Sequence, residues 1–172
     1  MVMAMDATLF LALATACAPQ VAAETARALV AVESGFNPHA IGVVGGALLR
    51  QPQHHAEALA TAKALQAGGW DFSLGLAQIN SRNFQRLGLS LDSAFDPCTN
   101  LTAMQTILGE CFDRALPRQD GEWPTQQRAL RQALSCYYSG NFVTGFSHGY
   151  VRRVVAATAQ PLPISVTPKE SP

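Results

Sequence analysis

From Asn100 onward the apolar positions Leu101, Met104, Ile107, Leu108, Cys111, Phe112 and Ala115 recur three and four residues apart, which lays them along one stripe of a helix. A different rhythm runs from Trp70 to Leu76. There Trp70, Phe72, Leu74 and Leu76 alternate with Asp71, Ser73 and Gly75, the period of a strand. The stretch from Val21 to Glu33 reads as a helix that opens after Pro19, carries Glu24 in its first turn and stops at Gly35. Asn37-Pro38 then turns the chain. Ile41 to Leu49 is β-like and pivots on Gly45-Gly46, which predicts a two-residue hairpin. An Ala-rich helix follows from His55 to Ala67, ended by Gly68-Gly69. Ser81 is placed to cap a short helix ending at Gly88, and two further helices are predicted near Gln126–Tyr138 and Ser147–Thr158. Helices around a small hairpin-like β segment make an α+β, mostly helical single domain, with a cleft where the β piece meets the helices.

The two ends of the chain need separate treatment. Leu9 to Ala16 looks like the apolar core of a signal peptide, with Ala14-Thr15-Ala16 as a cleavage site before Cys17. The stretch before it, however, carries Asp6 and no cation, and the first Arg is Arg27. A secretory leader opens on positive charge, so a packed first helix stopped by Ala18-Pro19 is the preferred reading. Residues 161–172 hold four prolines in twelve positions and are expected to be a disordered tail, leaving residues 1–160 as the domain.

Charge narrows the range of partners. Twelve Lys plus Arg against twelve Asp plus Glu in 172 residues give zero net charge, with no basic footprint for nucleic acid. Hydrophobic residues are 48% and charged ones 14%, a balance that buries a core rather than leaving the chain disordered. No apolar run reaches the ~18 residues of a membrane span. The four cysteines, Cys17, Cys98, Cys111 and Cys136, form no Cys-x-x-Cys pair and have no histidine at zinc-finger spacing, so no metal site is expected. They are either buried thiols or two disulfides of open pairing, depending on the compartment.

The informative residue is Glu33, in the last turn of an otherwise apolar helix. Val30, Val32 and Phe36 would strip water from its carboxylate, and the negative end of the helix dipole disfavours a further negative charge there. No Lys or Arg lies nearby in sequence. A carboxyl kept protonated near neutrality is what a general acid at a glycosidic oxygen requires.

Four short motifs surround this residue in order. They are Glu33-Ser34-Gly35-Phe36-Asn37-Pro38-x-Ala40, Gly75-Leu76-Ala77-Gln78-Ile79-Asn80, Asp96-Pro97-Cys98-x-Asn100-Leu101, and Ala133-Leu134-Ser135-Cys136-Tyr137-Tyr138-Ser139-Gly140-Asn141. Together they resemble the lytic transglycosylases with a goose-lysozyme-like catalytic domain, in particular the branch associated with type IV secretion systems. The resemblance implies a lysozyme-like fold. It makes Glu33 the single catalytic acid/base and makes Gly75, Leu76, Ala77, Gln78, Ile79 and Asn80 the lining of a sugar cleft, with Ala77 where the family usually has Met. Ser34 and Ser73 join them as candidate sugar contacts. Tyr137-Tyr138-Ser139-Gly140 matches the family's Tyr-Asn-x-Gly motif, so Tyr137 is expected to reach the catalytic carboxyl, with Tyr138 and Gly140 beside the sugar.

A single catalytic Glu, where most glycosidases use two carboxylates, fits a transglycosylase better than a hydrolase. The implied substrate is the glycan strand of peptidoglycan, cut without metal or cofactor and with a 1,6-anhydro product. Secretion-system components are the implied protein partners. The implied location is periplasmic, and there two disulfides are expected. The rivals are a hydrolytic lysozyme that uses Asp71 to position water, and a wall-binding assembly factor.

Overall fold

In the computed structural model, residues 5–116 and 124–160 are described, and the Pro-rich 161–172 segment lies outside them. The chain forms α1 (Ala7–Cys17), α2 (Ala23–Ser34), β1 (Ile41–Val43), α3 (His55–Ala67), β2 (Phe72–Leu74), β3 (Ile79–Asn80), α4 (Phe84–Leu87), α5 (Pro97–Ala115), α6 (Pro124–Ser139), α7 (Thr144–Ser147) and α8 (Tyr150–Thr158). This is the mostly helical α+β arrangement expected. Among the described residues no helix is long and apolar enough to cross a membrane.

The first segment is a helix of the fold. The Asp6 side chain accepts hydrogen bonds from the backbone N–H of Thr8 (2.7 Å) and Leu9 (3.3 Å), the N-cap that α1 needs. Phe10, Ala14 and Cys17 fall on its buried face, and the Phe10 ring meets Phe36 edge-on at 5.1 Å.

Helix α5 is the spine. Asp96 caps it through Thr99, and Pro97 begins it four residues before the apolar stripe starts at Leu101. Leu101, Met104, Leu108 and Cys111 are buried along that stripe. Disulfides tie the spine to its neighbours on both sides, Cys17–Cys98 to α1 and Cys111–Cys136 to α6. Helix α2 lies against α8, where the Arg27 guanidinium donates to the Ala157 and Thr158 carbonyls at 3.1 Å each. A cation thus satisfies the carbonyl end of α8 and fixes that helix relative to α2.

The sheet corrects two expectations. Gly45-Gly46 makes a turn but no hairpin. Strand β1 pairs instead with β2, across the whole of α3, in the register Ile41↔Leu74 and Val43↔Phe72. Its outer edge is closed by a side chain. Gln51 accepts from the Ile41 N–H at 2.8 Å and donates to the Ile41 carbonyl at 2.9 Å, so no returning strand is needed. The alternating run from Trp70 is likewise shorter than expected. Only Phe72–Leu74 is strand. Gly75, at φ 81°, then turns the chain into β3, which pairs back on β2 with Ser73 opposite Asn80. The turn is clamped from below by Asn100, fully buried on α5, whose amide donates to the Leu74 (2.9 Å) and Ala94 (2.7 Å) carbonyls and accepts from the Ala77 N–H (2.8 Å). A Cβ at position 75 would overlap the Asn100 amide and come within 2.7 Å of the Ala94 carbonyl, so both φ and space demand glycine.

Two helix boundaries also differ. Asn80, one residue before the expected Ser81, supplies the cap of the 3₁₀ turn leading into α4. The last predicted helix is two, because Gly149 at φ 71° separates α7 from α8 and places Tyr150 at the start of the second.

Candidate active site

Helix α2 ends one residue after Glu33. Gly35 takes the left-handed conformation at φ 58° and donates its N–H to the Ala31 carbonyl. This ending presents the Glu33 carboxyl, half-buried, to an open cleft of about 1090 Å³ between the helical body and the sheet. That volume lies just above the ~300–1,000 Å³ usual for small-ligand sites and suits an extended oligomer.

Burial raises the Glu33 pKa from its ordinary 4.5 to about 7. Two neighbours oppose that rise without cancelling it. The Tyr150 hydroxyl donates to Glu33 Oε1 at 2.5 Å, and the Arg153 guanidinium on the next turn of α8 favours the carboxylate. Arg153 corrects the expectation of a carboxyl without nearby cations, since the cation comes from a helix 120 residues downstream in sequence. Burial and the Glu33 charge hold the Tyr150 hydroxyl protonated far above its ordinary range, so it serves as a fixed donor. The Tyr150 ring is fully buried. It stacks on Tyr138 with centroids 4.5 Å apart and planes 19° from parallel, and the Arg153 guanidinium lies 6.0 Å from its centroid.

The tyrosine that reaches Glu33 is therefore Tyr150, and the expectation for Tyr137 is corrected. Tyr137 does face inward from α6, but its hydroxyl donates to the Ala77 carbonyl at 2.7 Å. It fixes the turn between β2 and β3 and is held protonated by burial and by the nearby Glu33 charge. Sequence reasoning missed both Tyr150 and Arg153. The available signal was Gly149, which starts a new helix with Tyr150 and Arg153 one turn apart on one face.

The remaining expected contacts divide into two groups. Ser73, Gln78, Ile79, Asn80, Tyr137, Tyr138 and Gly140 line the cleft together with Glu33. Gly75, Leu76 and Ala77 are buried beneath it, and Ser34 turns back to donate to the Val30 carbonyl. Ala77, where the resemblance expected a sugar contact, contributes no side chain to the cleft wall. The amides expected to meet sugar are largely committed to the protein. Gln78 donates to the Ala40 (3.1 Å) and Gly75 (3.0 Å) carbonyls, which leaves its oxygen, and Asn80 donates to Asp71 (2.8 Å) while accepting from the Arg82 N–H (3.0 Å).

Asp71 also lines the cleft, with both carboxylate oxygens occupied: Arg82 pairs with Oδ2 at 2.5 Å and Asn80 donates to Oδ1. Glu110 is paired with Arg86 at 2.9 Å, and Asp113 stands on the exposed side of α5. Glu33, raised by burial to about 7, is poised to exchange a proton near neutrality.

A helical body, a three-stranded sheet and a cleft with a half-buried, proton-retaining acid at a helix end define a lysozyme-like domain. The chain belongs to the transglycosylase SLT domain family, whose pattern it matches over residues 10–153, and it is a lytic transglycosylase. It is 52% identical over 165 residues to the type IV secretion system protein virB1 of Brucella suis biovar 1, covering 92% of this chain and 68% of that protein. The protein of the same name from Brucella abortus biovar 1 is equally similar. Protein virB1 of Agrobacterium fabrum is 38% identical over 157 residues, covering 90% of this chain and 61% of that one. No solved structure matches the chain.

Proposed function

We propose that the domain cleaves the β-1,4 bond between MurNAc and GlcNAc in peptidoglycan, with Glu33 as its single acid and base. The protonated carboxyl first gives its proton to the departing glycosidic oxygen while the substrate's own N-acetyl carbonyl stabilises positive charge at C1. The resulting carboxylate, held by Tyr150, then takes the proton of the muramyl C6 hydroxyl. That oxygen closes on C1, giving a 1,6-anhydro end and returning Glu33 to its starting form. The observation that carries this reading is the proton-retaining Glu33 in a cleft where Asp71, the second carboxylate a hydrolytic reading would use, has both oxygens engaged. A hydrolase needs a second carboxylate free to activate water or attack C1.

Ser73, the Gln78 carbonyl oxygen, Tyr138 and the Gly140 backbone form the polar wall along which the sugars lie. The relatives named for a type IV secretion system support a setting in which the wall is opened locally for such an apparatus, in the periplasm. The two disulfides agree with an oxidising compartment. The test is release of soluble muropeptides from purified sacculi. Glu33→Gln keeps the shape of the side chain but cannot transfer the proton, and release is expected to fall about 10²–10⁴-fold. Near-normal release by a folded Glu33→Gln protein would remove Glu33 from this role.

A further inference from the structure

Trp70 stands just beyond the residues that line the cleft. The reacting centre lies at the Gly75–Gln78 end of the sheet, where Tyr137 holds the Ala77 carbonyl near Glu33. From there β1 and β2 run together to Val44, whose N–H donates to the Asp71 carbonyl at 2.9 Å. Trp70 is the next residue outward, no more than about 11 Å from Ser73 by the reach of three residues. Trp70 is 51% exposed, and a Cβ on Gly46 would touch both its ring and the side chain of Val43, which lines the cleft.

The indole is nonetheless seated. A methyl group added to Gly68 would lie 3.0 Å from Trp70 Cδ1 and 3.2 Å from Nε1, and one added to Gly46 would lie 3.6 Å from Cζ3. Gly68 has φ −80°, which any residue adopts, so glycine there serves the ring rather than the backbone. The Trp70 N–H is bound to the Leu65 carbonyl at 3.0 Å, fixing the backbone beneath it. A Trp left half in water yet held between two glycines offers a rigid apolar face with little ordering cost on binding. Pyranose rings present apolar C–H faces that match such a surface, and the indole N–H can reach a hydroxyl.

We propose that Trp70, near the cleft-lining Val43, forms an outlying saccharide subsite that receives the glycan strand after it leaves the cleft. This rests on the peptidoglycan reading above and adds a preference for longer strands. The experiment uses peptide-free glycan strands of graded length. The ratio of kcat/KM on long strands to that on the shortest cleaved strand is expected to fall about five- to tenfold in Trp70→Ala and much less in Trp70→Phe. Thermal melts of both variants report whether the fold is intact. A binding readout runs alongside. Titration of the Glu33→Gln protein with long strands should change its tryptophan emission, and adding Trp70→Phe should abolish that change. Cleavage with an unaltered length ratio in Trp70→Ala overturns the subsite and leaves the function standing. An emission change at Trp70 without cleavage by the parent overturns the function and leaves the subsite. Lost assembly of a secretion apparatus with unchanged glycan kinetics and emission would make this face a protein-docking surface and overturn the proposal.

Discussion

Replacing Glu33 by Gln should stabilise the protein, and by an amount that depends on pH. In the folded chain the carboxyl holds its proton up to about pH 7, whereas in the unfolded chain it releases it near 4.5. Between those values the folded state binds more protons, so stability falls as pH rises. The stabilising contribution is fully present below pH 4.5 and is lost as pH passes through about 7. At about 1.4 kcal/mol per pH unit the interval amounts to about 3 kcal/mol. That penalty includes the help Tyr150 and Arg153 already give the carboxylate, and Gln does not incur it. For a chain of this size, about 3 kcal/mol corresponds to a rise in Tm of about 6–12 °C. Melts of parent and Glu33→Gln from pH 4.5 to pH 8 should start nearly together and separate steadily, with the variant higher. A separation that is constant across pH, or that closes as pH rises, would show that Glu33 is not held protonated by its surroundings.

Three other outcomes follow from the same geometry. Tyr150→Phe keeps the stack on Tyr138 but removes the hydroxyl from Glu33; turnover should fall about 10–100-fold, from the loss of a hydrogen bond to a charged group, with the alkaline limb of the kcat/KM profile moved upward. Arg153→Gln removes a cation that favours the carboxylate, so the Glu33 pKa rises and the same limb shifts to higher pH, while a structural role alone would leave the limb in place. Thiol titration of native protein should find no free cysteine at positions 17, 98, 111 or 136, and reduction should destabilise it. Chain-entropy arguments give about 4.5 kcal/mol for the Cys17–Cys98 separation of 81 residues and about 3.5 kcal/mol for the Cys111–Cys136 separation of 25, so a reduced protein melting like the oxidised one would contradict both bridges.

What could be read from the chain was local. The α5 stripe, the Gly-terminated end of α2 and the Asp6-capped first helix are each set by residues within a few positions of one another, and each stands where the pattern puts it. The chemistry of Glu33 was legible for the same reason, since the cue, an acid in the last turn of an otherwise apolar helix, is local. Its regulators were not. Tyr150 reaches it across 117 residues, placed there because Arg27 pins the far end of α8 to α2. Two adjacent tyrosines in a motif gave no hint that the contact would come from a third. The Gly45-Gly46 expectation failed on a similar point, because turn-forming residues permit a hairpin but the ladder partner is decided by long-range packing and by Gln51 closing the strand edge. Asn100 carries three hydrogen bonds that shape the cleft floor, and its position in a helical stripe does not distinguish it from a polar residue facing water.

The most direct measurement of the central claim is the fate of solvent oxygen. Purified sacculi are digested in water enriched in a heavy oxygen isotope, and the released muropeptides are weighed by mass spectrometry. Closure by the muramyl C6 hydroxyl predicts products lighter than the hydrolytic ones by one water and free of the isotope. Reducing ends that carry the heavy oxygen would show that water attacks C1, and that the single-carboxyl route through Glu33 is not the reaction this cleft performs.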